Sequence, residues 1–445
     1  LPWAVTIGAF FTLGSVLLHF GRRLKKKFAS RREGMLAVTL VWLLLSLVGM
    51  LPFLLTGSLE RPIDAFFETI SGFTTTGATV FNEVESLPHS ILFWRSLTQW
   101  QGGLGIVVFT VALLPIFGGG ASQIYNAETT GITHDRFLPR ISDVAKCLWV
   151  VYFVETLLLV GLLWIGPMDF FDAVCHAFTC ISTGGYSTRD ASIAAFDSAY
   201  VEYVLSLFMF LGSLNLTLVY FAATGKPQRL FKDEEFRFFT FFIVVIAVIT
   251  TIWLVLQEEY PSLEANFRQS LFTTLSLGSS TGYTAADITL WGPFFWMLAL
   301  LLMFVNGCAG STSGGLKSAR FLVLLKNLYN EFKKQIHPHL LTPVLMNKRQ
   351  LSVSAVHQVL AFCVMYIMLI FMGATLLLMD QNDFISSVSI ACSAISNSGP
   401  GIGKYGLSVS EAGAFTKSIL CFLMLAGRLE VFTVLGILTP YFWKR

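Results

Sequence analysis

The chain has 445 residues, 54% hydrophobic and 13% charged, where a soluble domain carries about a quarter charged residues. Its formal net charge is only +3. These values exclude a soluble globular enzyme and a polycationic nucleic-acid binder, and define a multi-pass membrane protein whose main solvent is lipid.

The first apolar run, Leu1 to Phe20, lacks the basic leading region of a cleavable signal and is predicted to be an extra transmembrane helix. Arg22, Arg23, Lys25, Lys26, Lys27, Arg31 and Arg32 crowd the connection after it, completing a segment at 1–33. Four units follow, at 34–119, 120–225, 226–349 and 350–445. Each repeats one pattern of long apolar helix, short apolar segment, glycine loop and long apolar helix. The predicted spans are Met35–Leu55, Asp64–Phe73 and Ile91–Phe117; Lys146–Ile165, Phe170–Cys180 and Tyr200–Ala222; Phe238–Leu256, Phe267–Leu277 and Pro293–Val305; and Val356–Met379, Phe384–Ile395 and Phe415–Thr439. The fold class is therefore all-α, with four pore repeats around a central path.

The short segments cover about 15 Å as helices, too little to cross about 30 Å of hydrocarbon, so each enters and leaves on one side. Asp64, Asp169, Asp172, Glu264, Asn266, Asp380 and Asp383 stand near their starts and are expected to cap them. Basic residues gather at the Arg22 connection, at Lys326, Lys333, Lys334, Lys348 and Arg349, and at Lys444-Arg445. The positive-inside rule makes these connections cytoplasmic and opens the glycine loops outward. The seven cysteines are scattered without a CxxC pair, as expected of small core residues rather than a disulfide or metal framework.

The loops share a spelling: Thr74-Thr75-Thr76-Gly77-Ala78, Ile181-Ser182-Thr183-Gly184-Gly185-Tyr186, Ser279-Ser280-Thr281-Gly282-Tyr283 and Ser396-Asn397-Ser398-Gly399-Pro400. Taking Gly77, Gly184, Gly282 and Gly399 as centres, the spacings are 107, 98 and 117 residues. Irregular backbone at membrane depth survives only where protein buries it or it lines water. Rings of carbonyl oxygens replace a cation's hydration shell, and a positive φ at glycine helps turn them inward. The predicted ligands come from Thr75, Thr76 and Gly77; Ser182, Thr183 and Gly184; Ser280, Thr281 and Gly282; and Asn397, Ser398 and Gly399. None of these positions is a carboxylate, which argues against a Ca²⁺-type filter.

Phe73–Ala78, Gln99-Trp100-Gln101-Gly102-Gly103-Leu104-Gly105, the Gly307–Gly315 break and Gly427-Arg428-Leu429-Glu430 together resemble the Trk/Ktr/HKT superfamily of cation transporters, and within it the bacterial TrkH type. The resemblance covers essentially the whole chain. It implies a K⁺-selective filter with glycine in all four loops, K⁺ as the transported ion, no cofactor, and a bacterial cytoplasmic membrane location. It also implies a homodimer and a cytoplasmic, nucleotide-binding regulatory ring of the TrkA type. One N-terminal helix stands where the TrkH type has two, so further residues are expected ahead of Leu1.

The third outgoing helix is interrupted by Asn306–Gly315, ten residues of Gly, Ser, Thr, Asn, Cys and Ala that cannot continue a straight helix in lipid. The equivalent helices show only local small sites, Gly102-Gly103, Gly212-Ser213 and Gly427. The resemblance implies a gating loop here, with Gly307, Gly310, Gly314 and Gly315 and the intramembrane Arg428 as its working residues. Bland alternatives are small-residue helix packing for the loop, a structural pair with Glu430 or a carbonyl for Arg428, and snorkelling for Lys317 and Arg320. A P-loop is disfavoured because Leu316 separates Gly315 from Lys317 and no strand precedes. An intramembrane protease lacks its G-x-S-G turn and a paired His. The expected function is K⁺ uptake by a non-enzyme; the runner-up is a secondary transporter, coupled to H⁺ or Na⁺ or moving another solute, with a broken-helix site.

Overall fold

A computed structural model of the chain describes residues 2–23, 31–117, 141–340, 342–380 and 382–444. Lys25, Lys26 and Lys27 and the boundary between the first two units lie outside the described residues. Among the described residues, five helices are long and apolar enough to cross a membrane, and seven spans result when two sharply bent pairs each count as one. Their outward faces expose large apolar side chains, among them Phe241, Val244 and Val248 on one helix and Met368, Phe371 and Met372 on another. Lipid is the solvent for such faces, and the chain is a multi-pass membrane protein.

Pro2–Arg23 is the extra N-terminal helix. The first unit begins with Arg31–Gly49, turns at Met50 into Leu51–Leu55, and continues with the pore helix Pro62–Phe73 and the outgoing helix His89–Phe117. The second comprises Ile141–Ile165, the pore helix Phe170–Ile181 and the outgoing Ala199–Gly212. The third comprises Glu234–Leu256, Leu263–Gly278 and Gly292–Val305, resuming at Ser318–Ile336. The fourth comprises Val353–Leu378, Phe384–Ser396 and Ala414–Arg428. A two-stranded hairpin, absent from the all-α expectation, pairs Leu345 with Gln350 and Met346 with Arg349. Its turn residues Asn347 and Lys348 have φ of 49° and 64°, which matches the twist of a two-residue hairpin.

The outgoing helices overturn one expectation. A break was predicted only in the third unit, yet all four are interrupted at comparable places. Gly105 has φ 61° and ψ −173° inside the first. Ala199–Gly212 meets Leu216–Ala223 at 108°, and Ala414–Arg428 meets Val431–Leu438 at 118°. Asn215 caps the new helix after the second break by accepting from the backbone N–H groups of Thr217 and Leu218. Glu430, at φ 63°, makes the fourth turn. The third unit differs in the length of its insert, not in having a break.

Capping also departs from expectation in part. Asp169 and Asp383 cap their pore helices through the N–H groups of Asp172 and Ser386, but Ser262 does so in the third unit and no side chain does in the first. Asp64 instead pairs with Lys417 of the fourth outgoing helix at 2.7 Å, and Asp380 accepts from Thr416. The Ser386 N–H holds the Asp383 carboxyl below its usual range. That cap is therefore complete at neutral pH and weakens only as pH falls through the lowered value.

Candidate functional site

The pore helices end in four loops of one conformation. The first left-handed residue in each is Thr75, Thr183, Ser280 or Asn397, with φ 53°, 53°, 61° and 55°. Its N–H bonds back three residues, to the carbonyls of Gly72, Cys180, Leu277 and Ala394 respectively. Two residues on comes a second left-handed residue: Gly77, Gly185, Gly282 or Gly399, with φ 86°, 77°, 81° and 89°. Only glycine takes that conformation without a Cβ penalty.

These torsions correct the register of the second loop. The sequence reading centred it on Gly184; the left-handed glycine is Gly185. Ser182 is then the counterpart of Thr74, its hydroxyl turned back onto the Thr179 carbonyl at 3.2 Å. Gly184 is the counterpart of Thr76, Thr281 and Ser398. The backbone agrees, because Thr76, Gly184 and Ser398 each donate to the carbonyl five residues earlier, at Ser71, Thr179 and Ser393.

The four loops close into a ring. A Cβ placed on Gly77 would lie 2.0 Å from the Gly184 carbonyl oxygen, one on Gly185 1.9 Å from that of Thr281, one on Gly282 2.1 Å from that of Ser398, and one on Gly399 2.6 Å from that of Thr76. Each left-handed glycine thus faces the carbonyl at the preceding position of the next unit, in the order first, second, third, fourth, first. Torsion and close approach both demand glycine, and four equivalent carbonyls are brought to one place.

Sequence reasoning missed the framework around this ring. Glu68 accepts from Arg95 Nε at 2.8 Å, from Val80 N–H at 2.9 Å and from the Thr79 hydroxyl. Arg95 also donates to the Ser187 carbonyl at 3.1 Å and lies over the Tyr186 ring at 4.2 Å. Both residues are at most 2% exposed, and they tie the exits of the first two loops together. The signal was an ionisable residue well inside each of two apolar segments, Glu68 in the first pore helix and Arg95 in the helix that follows it. Arg95→Leu is expected to cost about 3–5 kcal/mol, since it strands a buried carboxylate. Glu68→Gln with Arg95→Leu should cost less; thermal midpoints of the purified proteins check both.

The insert of the third unit is packed against this filter. Cys308 N–H donates to the Ser213 carbonyl at 2.8 Å, and Asn215 donates to the Ala309 carbonyl at 2.9 Å, so it rests on the second break. The Thr312 hydroxyl reaches the carbonyls of Ile181 and Gly212, each at 3.1 Å. Gly314 N–H donates to the Ser280 hydroxyl at 2.9 Å, and a Cβ on Gly314 would lie 2.3 Å from the Ser396 carbonyl. Gly310 and Gly315 have φ of 78° and 75°. A Cβ on Gly307 would meet the Ser313 hydroxyl at 2.4 Å. Glu235 binds both ends of the insert, accepting from Ala309 N–H at 2.6 Å, Ser318 Oγ at 2.9 Å and Ala319 N–H at 3.0 Å.

Arg428 donates to the Thr312 carbonyl at 2.8 Å and to the carbonyls of Gly102 and Gly103. It therefore joins the insert to the first outgoing helix at the point where glycines leave the helix backbone accessible. Glu430 pairs with Arg320 at 2.7 Å, and Arg320 stacks on Phe362 at 3.9 Å. Lys317 donates to the Ser313 carbonyl at 2.6 Å. Arg320 and Lys317 thus hold the insert's exit rather than snorkel. All seven cysteines are free and buried, and no cluster of metal-ligating side chains occurs among the described residues.

A closed ring of carbonyls at the ends of four half-spanning helices, with an intramembrane insert against it, defines a cation-conducting membrane protein with a filter built from one chain. Comparison with known proteins makes this specific. The family model TrkH, cation transport protein, matches residues 4–439, and the chain belongs to that family. It is 38% identical over 435 residues to the Trk system potassium uptake protein TrkH of Escherichia coli strain K12, covering 97% of this chain and 90% of that protein. Against the TrkH protein of Vibrio parahaemolyticus it is 36% identical over 449 residues, covering 100% of this chain and 92% of that one. The crystal structure of the potassium transporter TrkH from Vibrio parahaemolyticus superimposes with a TM-score of 0.89 at 35% identity, covering 100% and 92% of the two chains.

Proposed function

We propose that this chain is the membrane-spanning subunit of a potassium uptake system of the bacterial cytoplasmic membrane, passing dehydrated K⁺ through the ring formed by the loops at Thr75–Gly77, Thr183–Gly185, Ser280–Gly282 and Asn397–Gly399. The closed carbonyl ring carries this reading. Neutral oxygens exchange with a hydration shell without holding the ion too tightly, and the pore-helix C-termini add negative potential at the loops. Among the described residues, Thr75 Oγ1, Asn397 Oδ1 and Asn306 Oδ1 are buried there without a hydrogen-bond partner, as expected where ions or water would complete the coordination.

The insert from Asn306 to Lys317, held by Arg428, acts as the gate, with Gly307, Gly310, Gly314 and Gly315 giving it its close contacts and turns. Its contacts with the second, third and fourth units, and through Arg428 with the first, support this role. Glu235→Ala is expected to raise K⁺ flux about fivefold, because loss of about 1 kcal/mol of net anchoring shifts the closed state by that factor. Rubidium uptake into proteoliposomes measures it, and unchanged flux would remove Glu235 from the gate.

Family membership supports assembly as a homodimer carrying a TrkA-type regulatory ring on the cytoplasmic side. Leu328, Tyr329, Phe332 and Ile336 stand exposed beside Lys333 and Lys334 on Ser318–Ile336, a stripe suited to a protein partner. Reversal potentials of the reconstituted protein, with K⁺, Na⁺ and pH varied separately, test the transport reading. A potential that follows K⁺ alone supports passive conduction; one that moves with pH or Na⁺ at fixed K⁺ supports symport.

A further inference from the structure

The second filter loop is built differently from its three counterparts. At the position before the left-handed glycine, Thr76, Thr281 and Ser398 carry hydroxyls that bond to Thr74, Ser279 and Ser396, at 2.8, 2.7 and 3.0 Å. Gly184 carries none. Gln99 of the first outgoing helix occupies the space instead, and it is completely buried. A Cβ on Gly184 would lie 2.4 Å from Gln99 Cδ and 2.5 Å from its Oε1, with no backbone among its three nearest contacts. Gln99 Nε2 donates to the Gly184 carbonyl at 2.7 Å, while Oε1 accepts from Tyr186 N–H at 3.0 Å. One amide therefore brackets Gly185 from both sides.

The consequence is chemical as well as structural. Among the described residues, the carbonyls of Thr76, Thr281 and Ser398 accept no hydrogen bond, whereas that of Gly184 accepts one. A carbonyl already engaged by a donor is held in place and offers an ion less of its lone-pair density. The Gln99 helix also offers the Arg428 acceptors Gly102 and Gly103, three and four residues on, so the filter bracket lies one turn from the gate contact.

We infer that Gln99 is a specificity-determining residue of the filter: it substitutes for the hydroxyl missing at Gly184 and fixes the second carbonyl, so that discrimination between K⁺ and Na⁺ depends on a side chain outside the four loops. This rests on the filter reading above. Gly184 itself lacks a left-handed φ, so its backbone accepts an L side chain once Gln99 is shortened.

The test is a double-variant cycle on the full-length protein in proteoliposomes, reading the K⁺/Na⁺ permeability ratio from reversal potentials. Gln99→Leu removes the donor at nearly constant volume, and Gly184→Ser drives a side chain into Gln99. Each is expected to lower the ratio about fivefold or more, the factor carried by one net hydrogen bond. Gln99→Ala combined with Gly184→Ser restores a hydroxyl in the vacated space and is expected to recover part of the loss. Gln99→Asn, whose amide stops about 1.5 Å short, gives a second reading if Gln99→Leu does not fold. A wild-type ratio in a folded Gln99→Leu or Gln99→Asn protein overturns the inference, as does a double variant no better than Gly184→Ser alone. Wild-type protein with no K⁺ preference would instead overturn the filter reading, and this inference with it.

Discussion

Replacing Arg428 by alanine is expected to raise K⁺ flux about tenfold or more. The guanidinium donates to three carbonyls, those of Thr312, Gly102 and Gly103, and a hydrogen bond from a charged donor is worth about 1.5–3 kcal/mol. If even one of the three forms only when the insert lies against the filter, its removal shifts the closed-to-open ratio by about a factor of ten. Arg428→Lys should fall between, because one ammonium cannot reproduce a planar fork that spans the insert and a neighbouring helix. Rubidium uptake into proteoliposomes at matched protein density measures this; flux equal to wild type would deny Arg428 a gating role. Glu430 would not compensate, since its carboxylate is engaged by Arg320.

The second large effect is expected at Gly185. Gly185→Ala puts a Cβ 1.9 Å from the Thr281 carbonyl oxygen while demanding φ 77° of an L-residue. The torsion alone costs about 1–2 kcal/mol. The clash adds more, because the atom struck is backbone of the adjacent filter loop and can retreat only by opening the ring. K⁺ uptake should fall at least about tenfold. Gly225→Ala supplies the control: its φ is 85°, but no atom of the described residues lies within 4 Å of the added carbon. It carries comparable torsional strain without the clash and should retain transport. Equal loss in both variants would mean that torsion, not the ring, explains the first result. A tolerant Gly185 would undermine the register as well as the ring.

The broad plan was legible because it rests on local signals. Apolar runs of spanning length, segments too short to span, and Ser/Thr-Gly loops between them are visible residue by residue, and hydrocarbon leaves few ways to arrange them. The insert at Asn306 was legible for the same reason, since ten small and polar residues cannot sustain a helix. Gly427-Arg428 stood out because a cation in a spanning helix is rare.

What escaped involved torsions and distant partners. Ile181-Ser182-Thr183-Gly184-Gly185-Tyr186 contains two glycines, and spelling does not say which takes positive φ. The bends after Gly212 and Arg428 escaped because short breaks look like ordinary small-residue sites until the chain turns through 108° and 118°. Glu68 and Arg95 are 27 residues apart, Gln99 and Gly184 are 85 apart, and Glu235 reaches Ala309 across 74. No periodicity links such pairs.

The sequence by itself determined that this is a four-unit membrane protein with one hydroxyl-and-glycine loop per unit, because burial in lipid constrains composition and length locally. Only the tertiary structure decided which glycine in each loop faces which carbonyl, and that Gln99 stands in for a missing hydroxyl. It also decided that Arg428 reaches carbonyls of both the insert and the first unit. Those are choices among chemically similar neighbours, and they are made by close packing between units, where a single Cβ or one buried donor determines what fits.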